Sequence, residues 1–464
     1  MPSPRPHAAL ALMLGMGAML AAPLAEARTS SAATVKREWV LAHERFLAGD
    51  ALQGRGSGTR DEAIAAAYVA AQFLAYGLKP APGMDGYLQS INLVRQRAVG
   101  AAVLTANGKP VDGASVLIAS GGVIGTLAVF TGDDPKELPM GDVVVVTSAK
   151  ASPFALLRAA QAKKVKLVIV PESAATRSRV AQTGGEPQFP IRPEGAASAG
   201  ASMATASGTA LATLSDASLK ALAAMPGSDI ALRFPEIVTT TAPTTNAIGY
   251  LPGTDPKAGV ILFSAHLDHL GRRADGVVMP GANDDASGTT AVLELARVLA
   301  SGKPMKRGIL FVAYGSEEIG GFGSTYFAAH PPVPLSNIIA NLEIEMIGAQ
   351  DPKLPKGVMM MTGYDRSTFG EAMKAHGALV TADPYPEQNF FQRSDNYSLA
   401  LQGVVAHTIS GWAVVPTYHT PNDTVEKLDI DFMTAAIQSL VGPARWLANS
   451  AFRPSWKPGG KPGK

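Results

Sequence analysis

Apolar runs alternate with stretches of helical period along most of this 464-residue chain. Residues 259–265 (GVILFSA), 308–314 (GILFVAY), 337–347 and 403–409 read as strands. Their apolar residues are nearly unbroken, the texture of strands covered on both faces rather than one. Val292, Leu295, Ala296 and Leu299 repeat at i, i+3, i+4 and i+7, so the stretch after Asp284 is predicted to be a helix with one buried face. Residues 36–46 read as a helix and residues 50–58 (DALQGRGSG) as a Gly-rich loop. Thr59-Arg60-Asp61-Glu62 then forms a capping box, opening a helix that stops at Gly77 with Pro80 beyond. Strands alternating with helices predict an α/β fold with a mostly parallel, mixed central sheet flanked by helices.

Residues 98–235 interrupt this pattern. DVVVVT (142–147) and VKLVIV (165–170) read as strands around a helix that starts at Ser152-Pro153 and runs to Ala162. Residues 28–97 and 236–452 are therefore expected to form one discontinuous domain, with 98–235 as a smaller inserted one. Residues 196–210, rich in Ala, Ser and Gly, are expected to be a flexible part of the insert. Residues 453–464 are rich in Pro, Gly and Lys and are expected to form a disordered basic tail.

The N-terminus bears on location. Arg5 and His7 precede an apolar run at 8–22, and Leu24-Ala25-Glu26-Ala27 carries an A-x-A pattern, so residues 1–27 read as a signal peptide cleaved before Arg28. The run is too short for a spanning helix, the alternative being a retained anchor. Cysteine is absent, which excludes disulfides and a lipidated Cys and points to a bacterial periplasm or the medium. The net charge of +2 argues against nucleic acid or a strongly anionic membrane as partner. No stable membrane association is expected after cleavage, and the oligomeric state is left open.

Candidate chemistry sits in SAHLDHLG, PGANDDASG, GSEEIGG with NLEIEMIG, and TYHTPNDT. Two zinc ions a few ångströms apart require imidazole nitrogens and carboxylate oxygens, one of them shared. His266, Asp284, Glu318, Glu345 and His419 meet that need, and two predicted strands end at His266 and just before Glu317-Glu318. A water shared between such ions has its pKa lowered toward neutrality, and a nearby carboxylate can then take its proton and pass it to a leaving amine. Glu317 suits that role, since it neighbours a ligand without needing to be one. Asp268, two residues after His266, is placed to accept the other imidazole N–H, and Tyr418, just before His419, is a candidate donor to a developing oxyanion.

Each stretch alone has a plainer reading: HxD as a surface turn, Glu317-Glu318 as a solvated loop, Asp284-Asp285 as a helix cap, His419 between Pro416 and Pro421 as a turn. Their order and placement together favour the metal site. His269 reads as structural or substrate-lining, and His407 as a core histidine in its strand. His43, His330 and His376 read as surface residues. No GxSxG elbow, phosphate-cradling Gly loop or CxxC supports a serine hydrolase, an NTPase or a redox enzyme.

In these motifs, over residues 39–447, the chain resembles the co-catalytic zinc exopeptidases that include bacterial leucyl aminopeptidases, aminopeptidase Y and glutamate carboxypeptidase II. The resemblance implies that His266 of HxD binds one zinc and that Asp284 of DxxSG bridges both. It makes Glu317 the general base, Glu318 a ligand, and Glu345 and His419 the completing ligands. DALQGRGSGTRDE resembles the start of the same family, and 98–235 a protease-associated insert near the cleft. Two positions depart from the family pattern: Asn396 follows Arg393-Ser394-Asp395 where many relatives have His, and Glu345 stands where Asp is more frequent. The implied function is an exported aminopeptidase acting on peptides. The alternatives are a carboxypeptidase or dipeptidase, with Arg393 or Arg272 holding a substrate carboxylate, and a non-catalytic binding module on the same scaffold.

Overall fold

The computed structural model describes residue 1 and residues 34–195 and 208–463. Apart from Met1 the expected signal peptide lies outside the described residues, as do residues 196–207 of the low-complexity stretch.

The apolar runs become the middle of a nine-stranded sheet. Its strands in chain order are β1 (Leu88–Val99), β2 (Arg192–Pro193), β3 (Glu236–Leu251), β4 (Val260–His266), β5 (Gly308–Tyr314), β6 (Ile338–Ile344), β7 (Met359–Met361), β8 (Val380–Ala382) and β9 (Ala406–Ser410). They lie side by side as β8-β7-β9-β6-β4-β5-β3-β1-β2. The four from β9 to β5 are parallel to their neighbours, while β3 and β7 join them antiparallel. Every residue of β4, β5 and β6 is buried, because helices cover both faces. Ile261, Phe263 and Ala265 pack with helices α1 (Arg37–Leu47), α2 (Arg60–Ala75), α3 (Ser287–Ala300) and, toward the C-terminus, Ile430–Asn449. Val260 and Leu262 pack on the other face with Phe327, Leu399 and Ala400 from two short helices. β4 and β5 pair in register, His266 opposite Tyr314, so one carboxyl edge delivers His266, Glu317, Glu318 and Glu345 together, the usual location of a site in such a sheet.

Thr59 caps α2 by accepting the Asp61 and Glu62 N–H groups, and Gly77 ends the turn at φ +81. β1 and β3 run antiparallel from Leu88 opposite Ala247 to Val99 opposite Glu236. Between their outer ends the chain builds a second, eight-stranded sheet. Its centre is Val123–Phe130, Val143–Val146, Leu167–Pro171 and Ala210–Leu214, all parallel. The predicted strand, helix and strand are there as Val143–Val146, Pro153–Ala162 and Leu167–Pro171. Each face has its own apolar cluster, Val143, Val145, Leu167 and Ile169 on one side and Val144, Val146, Val168 and Val170 on the other.

Two sequence expectations are corrected here. The C-terminal stretch is ordered through residue 463 rather than disordered: Trp456 pairs with Ser367, donates its indole N–H to the Gly403 carbonyl and packs on the core, and Lys457 meets Glu371. One aromatic anchor outweighs the flexible composition around it. His43 is buried, not at the surface, with its ring nitrogens facing the Tyr68 and Tyr76 hydroxyls. His330 and His376 are exposed. His407 is fully buried with Nδ1 on the Thr362 carbonyl and Nε2 on the Ser367 hydroxyl. Among the described residues no helix is long and apolar enough to cross a membrane.

Candidate metal centre

The NDDASG and EMIG stretches are laced together residue by residue. Asp285 accepts the Met346 N–H at 3.0 Å, Ser287 Oγ the Ile347 N–H at 2.9 Å, and Asn283 Oδ1 the Gly348 N–H at 2.7 Å. Asp285 also accepts the Gly288 and His266 N–H groups, and Asp423 accepts those of Asn283 and Asp284. The adjacent carboxylates thus divide the work: Asp285 and Asp423 hold backbone while Asp284 faces the site. The Asp284–Asp285 peptide bond is cis. The glycines of PGAND and ASG are required by space. A Cβ on Gly281 would meet the Asp284 carbonyl at 2.3 Å and the His269 ring at 2.4 Å, and one on Gly288 would meet the Ile344 carbonyl at 2.0 Å. Ser316, Met346 and His419 hold positive φ although none is glycine. Such backbone costs about 1–3 kcal/mol per residue and gathers at functional sites.

Two donor groups converge on Asp284. His266, Asp284 and Glu345 form one, and His269, Asp284 and Glu318 the other, each with donor atoms within 4.8 Å of one another. His266 Nε2 lies 3.3 Å from Asp284 Oδ1. His419 Nε2 lies 3.1 Å from both Asp284 Oδ2 and Glu318 Oε2. His266 Nε2, Asp284 Oδ2 and Glu318 Oε1 are buried without a hydrogen-bond partner. Such groups are costly to leave unmade, and here imidazole nitrogens and carboxylate oxygens crowd together. That is a donor set suited to a divalent cation such as zinc.

Charge follows the same geometry. Burial alone would raise Asp284, but the His266 and His419 rings reverse this and hold it well below the usual carboxylate range. Burial would lower His266, yet Asp268 and Asp284 push it well up. Burial pushes Glu317 well above its ordinary value, reinforced by Asp395, Glu318 and Glu345 and opposed by His266.

Comparison with known proteins agrees with this arrangement. Residues 246–441 match the model of peptidase family M28. That stretch is similar to peptidase family M28. It contains all five candidate ligands and Glu317. Aminopeptidase YwaD of Bacillus subtilis is 28% identical over 216 residues, 44% of this chain and 46% of its own. A probable zinc metalloprotease of Pyrenophora tritici-repentis is 35% identical over 125 residues, 26% of this chain and 24% of its own. The matches thus span less than half the length of these curated relatives. The fold extends further: a solved aminopeptidase from Aneurinibacillus sp. strain AM-1 superposes with a TM-score of 0.60 at 20% identity, covering 90% of this chain and 95% of that one. A zinc aminopeptidase from Bacillus subtilis gives 0.56 at 19% identity over 90% and 96%.

The matched stretch is braced by residues that precede it. Arg55, fully buried at positive φ, donates to the carbonyls of Leu47, Leu267, Pro280 and Gly281, binding the two loops that carry His266 and Asp284. Ser57 donates to Asp268. Glu62 accepts the Ser316 and Gly58 N–H groups and the Thr244 hydroxyl, which fixes the turn before Glu317. His266 Nδ1 lies 3.2 Å from the Asp268 carbonyl oxygen and 3.7 Å from its carboxylate, which also accepts the Glu317 and Glu318 N–H groups. Asp268 thus anchors the Glu-Glu turn as well as facing the His266 ring. Asn396, which departs from the family pattern, accepts the Thr408 hydroxyl and donates to the Phe391 and Ala406 carbonyls, so it stays in the scaffold.

Two hollows reach the donor groups. One of about 410 Å³ is lined by Glu345, Met360, Phe390, Arg393 and Tyr418. Tyr418 stacks on His419 with ring centroids 3.8 Å apart, and burial raises its hydroxyl so that it stays protonated and able to donate. The other, about 1780 Å³, runs from His269, Glu318 and His419 to Arg95, Arg179, Arg272 and Arg273. Arg179 belongs to the second-sheet region, so this groove lies between the two sheets. The two arginines singled out from sequence thus open onto different hollows.

Proposed function

We propose that this chain is an exported zinc-dependent exopeptidase that removes residues from the free N-termini of peptides. The observation that carries this reading is the pair of donor groups sharing Asp284, with Glu317 beside them as an additional carboxylate. His266, Asp284 and Glu345 would hold one zinc, and Asp284, Glu318 and His419 the other. When bound, zinc supplies a Lewis acid that polarises the scissile carbonyl and acidifies water. Glu317 then takes the proton of the attacking water and delivers it to the leaving amine. Its backbone is pinned by Asp268. Tyr418 stands where it can donate to the oxyanion. The smaller hollow, with Met360 and Phe390, suits the side chain before the cleaved bond, and the region between β1 and β3 acts as a protease-associated-like wall of the cleft.

A second reading, carboxypeptidase or dipeptidase action, draws on the four arginines of the larger groove, which suit a substrate carboxylate. One experiment separates the two. The mature protein is given a peptide with a free and with an acetylated N-terminus, each with and without chelator, and products are read by mass. Stepwise loss from the free N-terminus alone, abolished by chelator, is expected. C-terminal trimming of both forms establishes the second reading, and no cleavage by the zinc-loaded protein refutes both.

A further inference from the structure

His269 is the third histidine of the centre, and the resembled ligand pattern leaves it out. It is fully buried. Nδ1 lies 2.6 Å from Glu318 Oε1 and 3.7 Å from Asp284 Oδ2. At 2.6 Å a hydrogen bond to Glu318 is the expected relation, yet both Nδ1 and Oε1 are without a hydrogen-bond partner. His266 Nε2 and Asp284 Oδ2 share that state, so the His269 nitrogen behaves as the other donors do. Nε2 of His269 is also unpartnered, whichever nitrogen carries the proton, and so does not choose between a ligand and a hydrogen-bond donor.

The surroundings hold the ring in this place. The His269 N–H binds the Arg55 carbonyl at 3.1 Å, tying it to the braced Gly-rich loop. Gly281 leaves room for the ring where any Cβ would strike it. His419 approaches from the opposite side, its ring 5.7 Å away at 70°, and faces the same Asp284 oxygen and the other oxygen of Glu318. Donors about 2.0–2.1 Å from one zinc stand roughly 3.3 Å apart at the tetrahedral angle. The separations of 3.1, 3.1 and 3.7 Å bracket that value, and 2.6 Å falls below it.

We propose that His269 Nδ1 is a metal ligand, so that the second position has four protein donors, His269, Asp284, Glu318 and His419. The first has three, His266, Asp284 and Glu345. A four-donor zinc position is closed and a three-donor one is open. The centre is therefore asymmetric: the second ion is held mainly to build the site, and the first is where substrate enters. This rests on the zinc reading above, but its tests do not depend on turnover.

The decisive measurement uses the wild-type protein loaded with two cobalt(II) ions. Each ligating imidazole contributes one exchangeable, strongly shifted N–H proton resonance. Three are expected and two would overturn the proposal, with no need for a variant to fold. A His269→Gln protein, which retains an amide donor for Glu318, gives the second arm. Loss of a ligand weakens the tighter metal by more than about 100-fold, beyond the 10–100-fold typical of residues that only orient a ligand, and removes one shifted resonance. Two metals held with unchanged affinities and spectrum in this variant would also overturn it. A wild-type protein with three resonances that cleaves no peptide would refute the proposed function and leave this assignment standing.

Discussion

The two sheets solve the same packing problem with opposite chemistry. Around the second sheet the buried polar residues are Thr176, Thr209, Thr213 and Ser228, and residues 98–235 contain no histidine. Around the first, His43, His266, His269 and His407 are buried together with Asp268, Asp284, Asp285, Asp395 and Glu343. Both have parallel centres of fully buried Val, Ile and Leu, so the fold does not require the buried charge. Buried carboxylates cost stability unless paired or bound to a cation. The gathering of Asp268, Asp284, Asp285, Asp395 and Glu343 around one edge of one sheet marks that edge as the place where chemistry occurs.

The largest test of this division is Glu317→Gln. The side chain keeps its size and the backbone its bond to Asp268, so zinc content is expected to stay at the wild-type level. Peptide turnover falls by about 10²–10⁴, the range of a lost general base. Metal analysis beside a rate assay reads both, and full activity in the variant would remove Glu317 from the mechanism.

Arg55→Met comes next. It leaves four carbonyls between Leu47 and Gly281 without their donor and frees the loops of His266 and Asp284. A loss of about 3–5 kcal/mol is expected in urea unfolding, together with weakened zinc binding. Unchanged zinc affinity in the folded variant would reduce Arg55 to a structural role.

This brace shows where sequence reading stopped. The ligands were legible because strand ends and glycines place them, and the order of HLD, NDD, SEE and the late His leaves few alternatives. Arg55 was not, because its partners are backbone carbonyls, which carry no residue signature. Its loop could be named but not its task. His269 was set aside for following a ligand and an orienting Asp, while its actual neighbours, Glu318 and His419, are distant in sequence. The second task of Asp268, holding the Glu317-Glu318 turn, was hidden because spacing along a strand end does not reveal a turn arriving from β5. His43 and Trp456 misled for a related reason: Tyr68 lies on α2 and Tyr76 at its C-terminal cap, and Gly403 lies 53 residues before Trp456.

In the second sheet, Leu167→Ala is expected to cost about 3 kcal/mol through the cavity it leaves, since Leu167 is fully buried within its cluster. Zinc content should not change. Hydrogen exchange with and without chelator extends the contrast: metal removal raises exchange in the loops around Asp284 and Met346 and leaves Val143–Val146 and Leu167–Pro171 protected. Equal loosening of both sheets would show that the centre holds the whole molecule together.

The smallest effect concerns acid. Burial lowers His43 and His407 from the ordinary 6.5 to about 4, and nearby Arg297 and Arg366 act in the same direction, against the Thr362 carbonyl at His407. Both rings are neutral in the folded chain, so between those values the unfolded chain binds more protons. Their contribution is complete above the unfolded value and is lost as pH falls toward about 4. From about pH 7 to 5.5 each ring should remove roughly 1 kcal/mol. His407→Gln keeps an acceptor for Ser367 and a donor for the Thr362 carbonyl but has no proton to gain, so its acid slope over this range should be smaller by one ring's share. Urea melts at the two pH values on zinc-saturated protein read the difference. Because residues 98–235 have no histidine, the slope belongs to the first sheet alone, and exchange protection in the second should be flat over the same interval. An equal slope in His407→Gln would mean that His407 is already charged in the fold, contrary to its paired Ser367 and Thr362 contacts.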